Sequence, residues 1–302
     1  MANKKVAWSG KSYGGYWGTL AFISLLKIGL VPAYGLLVFV AAFFILFRRR
    51  AVAPICAYLS RIFGCRVPTI SLRAYKSVFS FGVSILDRTA YFSGCGSIKV
   101  RDCAESIIRE SAKEGRGTLV LASHTGGWAI AAGKLAENFP EAAILGADRE
   151  RLEIRKLVES SRRREKPKVV LDSSDSMSAV AIYGILRGGG IAAMHADRNA
   201  GGRSAGADFL GSRIEAPGAP YICAWRAGAR VLQIFCMRES MFKYRMFCKD
   251  IDLSGCSTAD EAASAGASQY FSNLEGVLRK YPYQWYNFYD FFWRRKIISF
   301  PM

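Results

Sequence analysis

Only two histidines occur in the 302 residues, and each ends a strand-like apolar run. His124 follows "LVLAS" and precedes Gly126 and Gly127, while His195 ends "GGGIAAMH" and precedes "ADRNAGGR". An imidazole can take up and return a proton near neutral pH. At the C-terminal end of a buried strand, before a helix, it stands where α/β folds place their chemistry. His124 is therefore a candidate general base. A hydroxyl or amine is a poor nucleophile until such a base takes its proton. Gly126 and Gly127 let the backbone approach a substrate closely, and N–H groups opening the next helix offer support to developing negative charge.

The elements that must carry these residues alternate. "TLVLAS" reads as a short buried strand, "GGWAIAAGKLAENF" as a helix, "AAILGA" as a strand, and Arg149 to Glu165 as a basic helix. "KVVL" is a strand, "SMSAVAIYGILRGG" a helix ending at glycine, and "IAAMHA" a strand. "RVLQIFCMRE" and "YRMFCKDIDL" are two later strands on a short link. Thr258 and Glu261 have capping-box spacing ahead of a final helix. Strands alternating with helices of this length imply an α/β fold, with a mainly parallel central sheet flanked by helices.

The N-terminal region differs. From Tyr16 to Phe47 the chain is almost wholly apolar, interrupted by Lys27, with Gly29 and Pro32 behind it. Lys4, Lys5 and Lys11 precede the run, and Arg48, Arg49 and Arg50 follow it. No small-residue cleavage site follows, so the run reads as a membrane anchor rather than a secretory signal. A tilted span and a kinked hairpin dipping into one leaflet both fit. The hairpin also keeps the basic N-terminus inside, and the arginines place the following domain on the cytoplasmic side. "AVAPICAYLSRIFG" reads as an interfacial helix, with "LRAYKSVFSFGVSILDRTAYFSG" another behind it. The expected division is 1–65 for anchor and interfacial helix, and 66–302 for the α/β domain.

Apolar residues make up 51% of the chain, and 42 basic against 24 acidic residues give a formal charge of +18. That excess favours an anionic partner, and beside an apolar N-terminus the partner is anionic membrane lipid. No recognisable nucleic-acid motif accompanies the charge, so no nucleic acid is expected. The eight cysteines form no C-x-x-C pair, and no cluster has metal-ligand spacing. Cys223, Cys236 and Cys248 lie in apolar segments and read as reduced, buried thiols. No metal and no cofactor are expected.

Four stretches in order, "SHTGGW", "GGGIAAMHADRNAGGR", "DFLGSRIEAPGAPYICAWRAGARVLQIFCMR" and "YPYQWYNFYDFFWRR", resemble the lysophospholipid acyltransferase superfamily. The resemblance is to its bacterial branch of late lipid A acyltransferases and covers nearly the whole chain. It implies a glycerol-3-phosphate acyltransferase-like fold. It also implies transfer of a fatty acyl group from an acyl carrier protein or CoA thioester to a hydroxyl or amine of a lipid or glycolipid acceptor. In that pattern His124 is the base, with Gly126, Gly127 and Trp128 beside the substrate. Arg198 of "ADRNAGGR" would hold an anion by forked hydrogen bonds, with Arg203 secondary. "DFLG", with Asp208, Phe209 and Gly211, would lie at the substrate mouth. His195 has no base role, and the aromatic tail from Tyr281 to Trp293 would pack and anchor at the interface.

One position departs from the pattern. Where the family has an acid, five residues after His124, this chain has Ala129. Either another carboxylate supports the imidazole, with Asp197 or Asp208 the candidates, or the chain is a catalytically degenerate relative that binds acyl chains or lipid.

Overall fold

The computed structural model describes residues 29–94, 98–145, 169–171, 177–198, 202–289 and 291–292. Outside them lie the basic helix expected over 149–165, the first part of the apolar run, the basic residues before it, and Trp293. Helix α1 (Leu30–Phe47) starts after Gly29, with Pro32 in its first turn, where no intrahelical N–H partner is lost. It is followed by α2 (Arg49–Phe63) and by α3 (Leu72–Ser93), whose N-cap Ser71 accepts from Ala74 N at 3.2 Å.

The remainder follows as β1 (Lys99–Arg101), α4 (Ala104–Lys113), β2 (Thr118–Ala122), α5 (Trp128–Asn138), β3 (Ala143–Leu145), β4 (Val169–Leu171), α6 (Met177–Arg187) and β5 (Ile191–His195). Then come β6 (Ser204–Phe209), β7 (Ser212–Pro217), α7 (Ala219–Ala227), β8 (Arg230–Ser240), β9 (Lys243–Ile251) and α8 (Ala259–Lys280). The main sheet runs β1-β9-β8-β2-β5-β3-β4, and only the β8–β9 pair is antiparallel. This is the mainly parallel, helix-flanked α/β sheet that the alternation predicts. The β6–β7 hairpin, which the pattern did not resolve, stands apart as a two-stranded sheet.

Alternation along β2 explains the layering. Leu119 and Leu121 are fully buried in one apolar cluster with Tyr270, Phe271 and Leu274 of α8. Val120 points the other way, into a second cluster with Ile108 of α4 and Ile130 and Leu135 of α5. A parallel strand covered on both faces must be apolar on both, and β2 is. The first cluster also takes in Ala41 and Ile45 of α1 and Val52, Ile55 and Leu59 of α2. The N-terminal helices thus share the core of the α/β part.

Cys248 departs from its expected state. It forms a disulfide with Cys103, with the Cα atoms 6.5 Å apart, rather than standing as a reduced thiol. The cause is tertiary. Strand β1 pairs in parallel with β9 up to Arg101↔Arg245, which carries the residues just beyond into reach across a sequence separation of 145. Cys223 and Cys236 are free, as expected.

Candidate active site

Strands β2 and β5 are parallel neighbours in register, with Ala122 opposite His195. Both chains therefore leave the sheet at the same C-terminal edge, side by side. His124 lies two residues beyond β2, and Asp197 two residues beyond β5. They meet there: His124 Nδ1 is 2.8 Å from Asp197 Oδ1, and the His124 backbone N–H donates to Asp197 Oδ2 at 3.0 Å.

A carboxylate can only accept, so Nδ1 carries the proton and Nε2 is left with its lone pair. That is the tautomer a general base needs. The His124 side chain keeps 22% of its surface exposed, whereas Asp197 keeps 1%. Burial alone would raise the Asp197 carboxyl. The facing His124, its hydrogen bond and the Arg198 charge outweigh that, and they hold the carboxyl well below the usual carboxylate range.

The third partner of Asp197 comes from far along the chain. Trp285 Nε1 donates to Oδ2 at 3.1 Å. The indole is 1% exposed and wedged between Tyr58 and Phe209, so its N–H needs a buried acceptor and finds this one. The same tail fixes the loop backbone: Tyr286 N donates to His124 O at 2.9 Å, and Gly126 N to Gln284 O at 2.8 Å. Gln284 is itself held by Arg238, through both main-chain groups of that residue at 2.9 Å. The tail was expected to pack and anchor; Trp285, Tyr286 and Gln284 brace the histidine loop as well. In the sequence they carry no signal beyond aromatic richness.

Gly126 is required by space. At φ +49 a side chain is strained, and a Cβ would lie 2.2 Å from Cys236 O. Gly127 lies against the Tyr244 ring and donates its N–H to Cys236 O at 2.7 Å. The Gly126 and Gly127 amides are thus committed to carbonyls of Gln284 and Cys236, and the Trp128 N–H that opens α5 donates to Thr125 O at 3.1 Å. Trp128 opens α5 with its ring 6.0 Å from that of His124 and 5.8 Å from Tyr286. Phe81 of α3 continues the aromatic wall, 5.3 Å from Tyr286 and 4.6 Å from Phe288.

His195 stacks on His124 with ring centroids 4.2 Å apart, and its Nε2 is buried without a partner. Burial, aided by the neighbouring His124, pushes its pKa down to about 3, so it stays neutral beside His124. Arg198 joins the group. Its Nη2 donates to Tyr286 O at 3.2 Å, and its guanidinium lies 5.4 Å from the Tyr289 ring.

The other candidates lie elsewhere. Arg203 pairs with Asp260 in the first turn of α8. Asp208 is exposed and pairs with Arg213 across the β6–β7 hairpin at 3.3 Å. Gly211 sits in the turn of that hairpin at φ +72. Phe209 is fully buried against Phe271 and Trp285, so it backs the indole rather than lining an entrance. Ala129, at the position of the family acid, packs against the second apolar cluster.

A half-buried imidazole, a buried carboxylate behind it and an aromatic wall beside it can deprotonate a nucleophile next to an apolar chain. No curated protein sequence matches the chain. Residues 99–293 match the family model of the bacterial lipid A biosynthesis acyltransferases, a span holding His124, Asp197, Arg198 and Trp285. The chain belongs to the bacterial lipid A biosynthesis acyltransferase family.

Proposed function

We propose that this chain is an active, membrane-bound acyltransferase in which His124 is the general base and Asp197 replaces the acid missing at position 129. The observation that carries the reading is the 2.8 Å contact between His124 Nδ1 and Asp197 Oδ1, with the carboxylate buried. His124 Nε2 takes the proton of an acceptor hydroxyl or amine, whose oxygen or nitrogen attacks the thioester carbonyl. Collapse of the adduct breaks the carbon–sulfur bond. The thiol of the acyl carrier protein or CoA leaves with a proton returned by the imidazolium. Asp197 stabilises the imidazolium as it forms, while the neutral His195 adds no competing charge.

Arg198 supports an anionic group of the donor or acceptor. Trp128, Phe81 and Phe288, backed by the buried Tyr286, offer the apolar surface an acyl chain requires. The acceptor class is a lipid or glycolipid of the lipid A type, approached from the cytoplasmic leaflet of a bacterial inner membrane. The family, the apolar α1 and the basic charge support that setting.

The test is thiol release from an acyl-thioester donor, with a membrane lipid extract as acceptor. Wild type should turn over, and His124→Ala should lose about 10² to 10⁴-fold, as removal of a general base does, with its fold and membrane binding intact. A wild type without turnover, or a His124→Ala variant as fast as wild type, overturns the proposal.

A further inference from the structure

Helix α1 has 18 residues and passes as a membrane span by length and composition. About 27 Å long, it would nearly cross a hydrocarbon layer. Its contacts argue otherwise. Tyr34 near its start hydrogen-bonds Asp87 near the end of α3. Leu37 presses on Gly82, where a Cβ would come within 2.3 Å of it, and Val38 O accepts from Tyr75 OH at 3.2 Å. Rising along α1 is falling along α3, so the two helices lie antiparallel and side by side.

Helix α3 is no membrane helix. It exposes Arg73 and Lys76 and buries Ser77, Ser84 and Asp87. Asp87 is wholly buried, accepts from Tyr244 OH of β9 at 2.6 Å, and lies 3.3 Å from Arg238 Nε of β8. Burial raises the Asp87 carboxyl, which Tyr244, Tyr34 and Arg238 counteract. A crossing α1 would drag this helix, its charges and the end of the sheet into hydrocarbon, where unsolvated ionisable groups are costly.

The outer face of α1 is nonetheless bare and apolar. Phe39 is 72% exposed, Phe47 71% and Val31 61%. Beside its C-terminal end, the α2–α3 turn exposes Ile70 at 48% and Leu72 at 67%. Exposed cations ring this end: Arg48, Arg49, Arg50, Arg66, Arg73 and Lys76.

We propose that α1 lies in the plane of one leaflet, without crossing it. Its outer face and the Ile70–Leu72 turn enter the acyl layer, and the basic rim rests on anionic headgroups. The charge complement names the occupant as an anionic bilayer. This surface is independent of whether His124 transfers an acyl group, yet it explains how the site would meet lipid. Ser84 Oγ of α3 donates to Gly126 O at 2.7 Å, and Ser80 Oγ lies 3.1 Å from Tyr286 OH. The helix that holds α1 also touches the histidine loop, so the site stays beside the bilayer.

The test uses the full chain on phosphatidylglycerol vesicles, with Cys65→Ser removing the exposed free thiol among the described residues and Cys95→Ser removing the cysteine outside them. A fluorophore is placed in turn through Val31→Cys, Phe39→Cys, Phe47→Cys and Leu72→Cys, and read with lipids carrying quenchers at known depths. The expected result is one shallow depth for all four. Phe39 deepest, with Val31 and Phe47 near opposite surfaces, would mean a span and overturn the proposal. A Phe39 probe shielded from lipid, with energy transfer to a second copy, would mean a dimer face and overturn it too. The pair Ile70→Ser and Leu72→Ser should cut vesicle flotation about tenfold or more while thermal unfolding in detergent is unchanged. Flotation equal to wild type in that folded variant would exclude the turn from the surface and overturn its part in the proposal.

Discussion

Asp197 and Asp208 stand in the same stretch of chain, each beside an arginine or facing one, and tertiary structure gives them opposite fates. Asp197 is buried and accepts from His124 Nδ1, His124 N and Trp285 Nε1. Asp208 keeps 79% of its side chain in solvent and pairs with the exposed Arg213. An exposed pair of that kind contributes about 0–1 kcal/mol. A buried carboxylate fixed by three donors has no freedom to turn away, and its charge acts on the imidazole through a direct 2.8 Å contact. Burial, rather than proximity in sequence, separates an aspartate held against the imidazole from one left in solvent.

The largest break of this contrast is Asp197→Asn. The amide cannot stabilise an imidazolium as a charge, and with its oxygen turned to His124 N and Trp285 Nε1 its NH2 donates to His124 Nδ1, which selects the wrong tautomer. Turnover of an acyl thioester should fall by about 10² to 10⁴-fold. Ala129→Glu is next. Restoring the family acid puts a carboxylate against the second apolar cluster and beside a site already supplied with one, so activity should fall or stay flat, and thermal stability should drop. A rise in activity above wild type would mean that Asp197 does not do this work.

Trp285→Phe keeps the ring but removes the N–H to Asp197. Loss of one hydrogen bond to a charged group is worth about 1.5–3 kcal/mol, so turnover should drop roughly tenfold or more. Its pH profile should shift as well, which lost packing alone would not produce.

His195 sharpens the comparison through stability. It stays neutral in the fold down to about pH 3 because it is buried, whereas an unfolded chain takes up its proton below about pH 6.5. The unfolded state thus binds more protons in that window, and stability falls as pH falls through it, by up to about 1.4 kcal/mol per pH unit from this group. His195→Gln should flatten the acid limb of a stability-versus-pH curve measured by denaturant unfolding. An equal slope in both proteins would contradict the buried, neutral state. Smallest of all, Asp208→Asn should leave turnover within about twofold, as an exposed pair allows. A loss larger than that of Asp197→Asn would reverse the contrast.

Much of the frame was legible because it is written locally. Strand β2, strand β5 and helix α8 each follow from a short apolar pattern, and Thr258 caps α8 by accepting from Glu261 N at 3.2 Å. The β6–β7 hairpin was missed because the inward positions of β6 are mostly alanine, a faint apolar signal, and its turn lies inside a stretch resembling a substrate motif. The disulfide of Cys103 with Cys248 was missed because only the β1–β9 pairing brings them together.

The sequence by itself determined the alternating α/β pattern, the position of His124 at a strand end, the family and the gap at Ala129, since each rests on neighbouring residues. Only the tertiary structure decided which aspartate meets His124. The parallel register of β2 and β5 sets Asp197 against His124, and an indole 88 residues further along closes on the same carboxylate. It likewise decided that α1 packs antiparallel along α3, which its apolar length alone does not specify. Local spacing encodes which elements form; which side chains then meet depends on sheet register and chain return, and on these the spacing is silent.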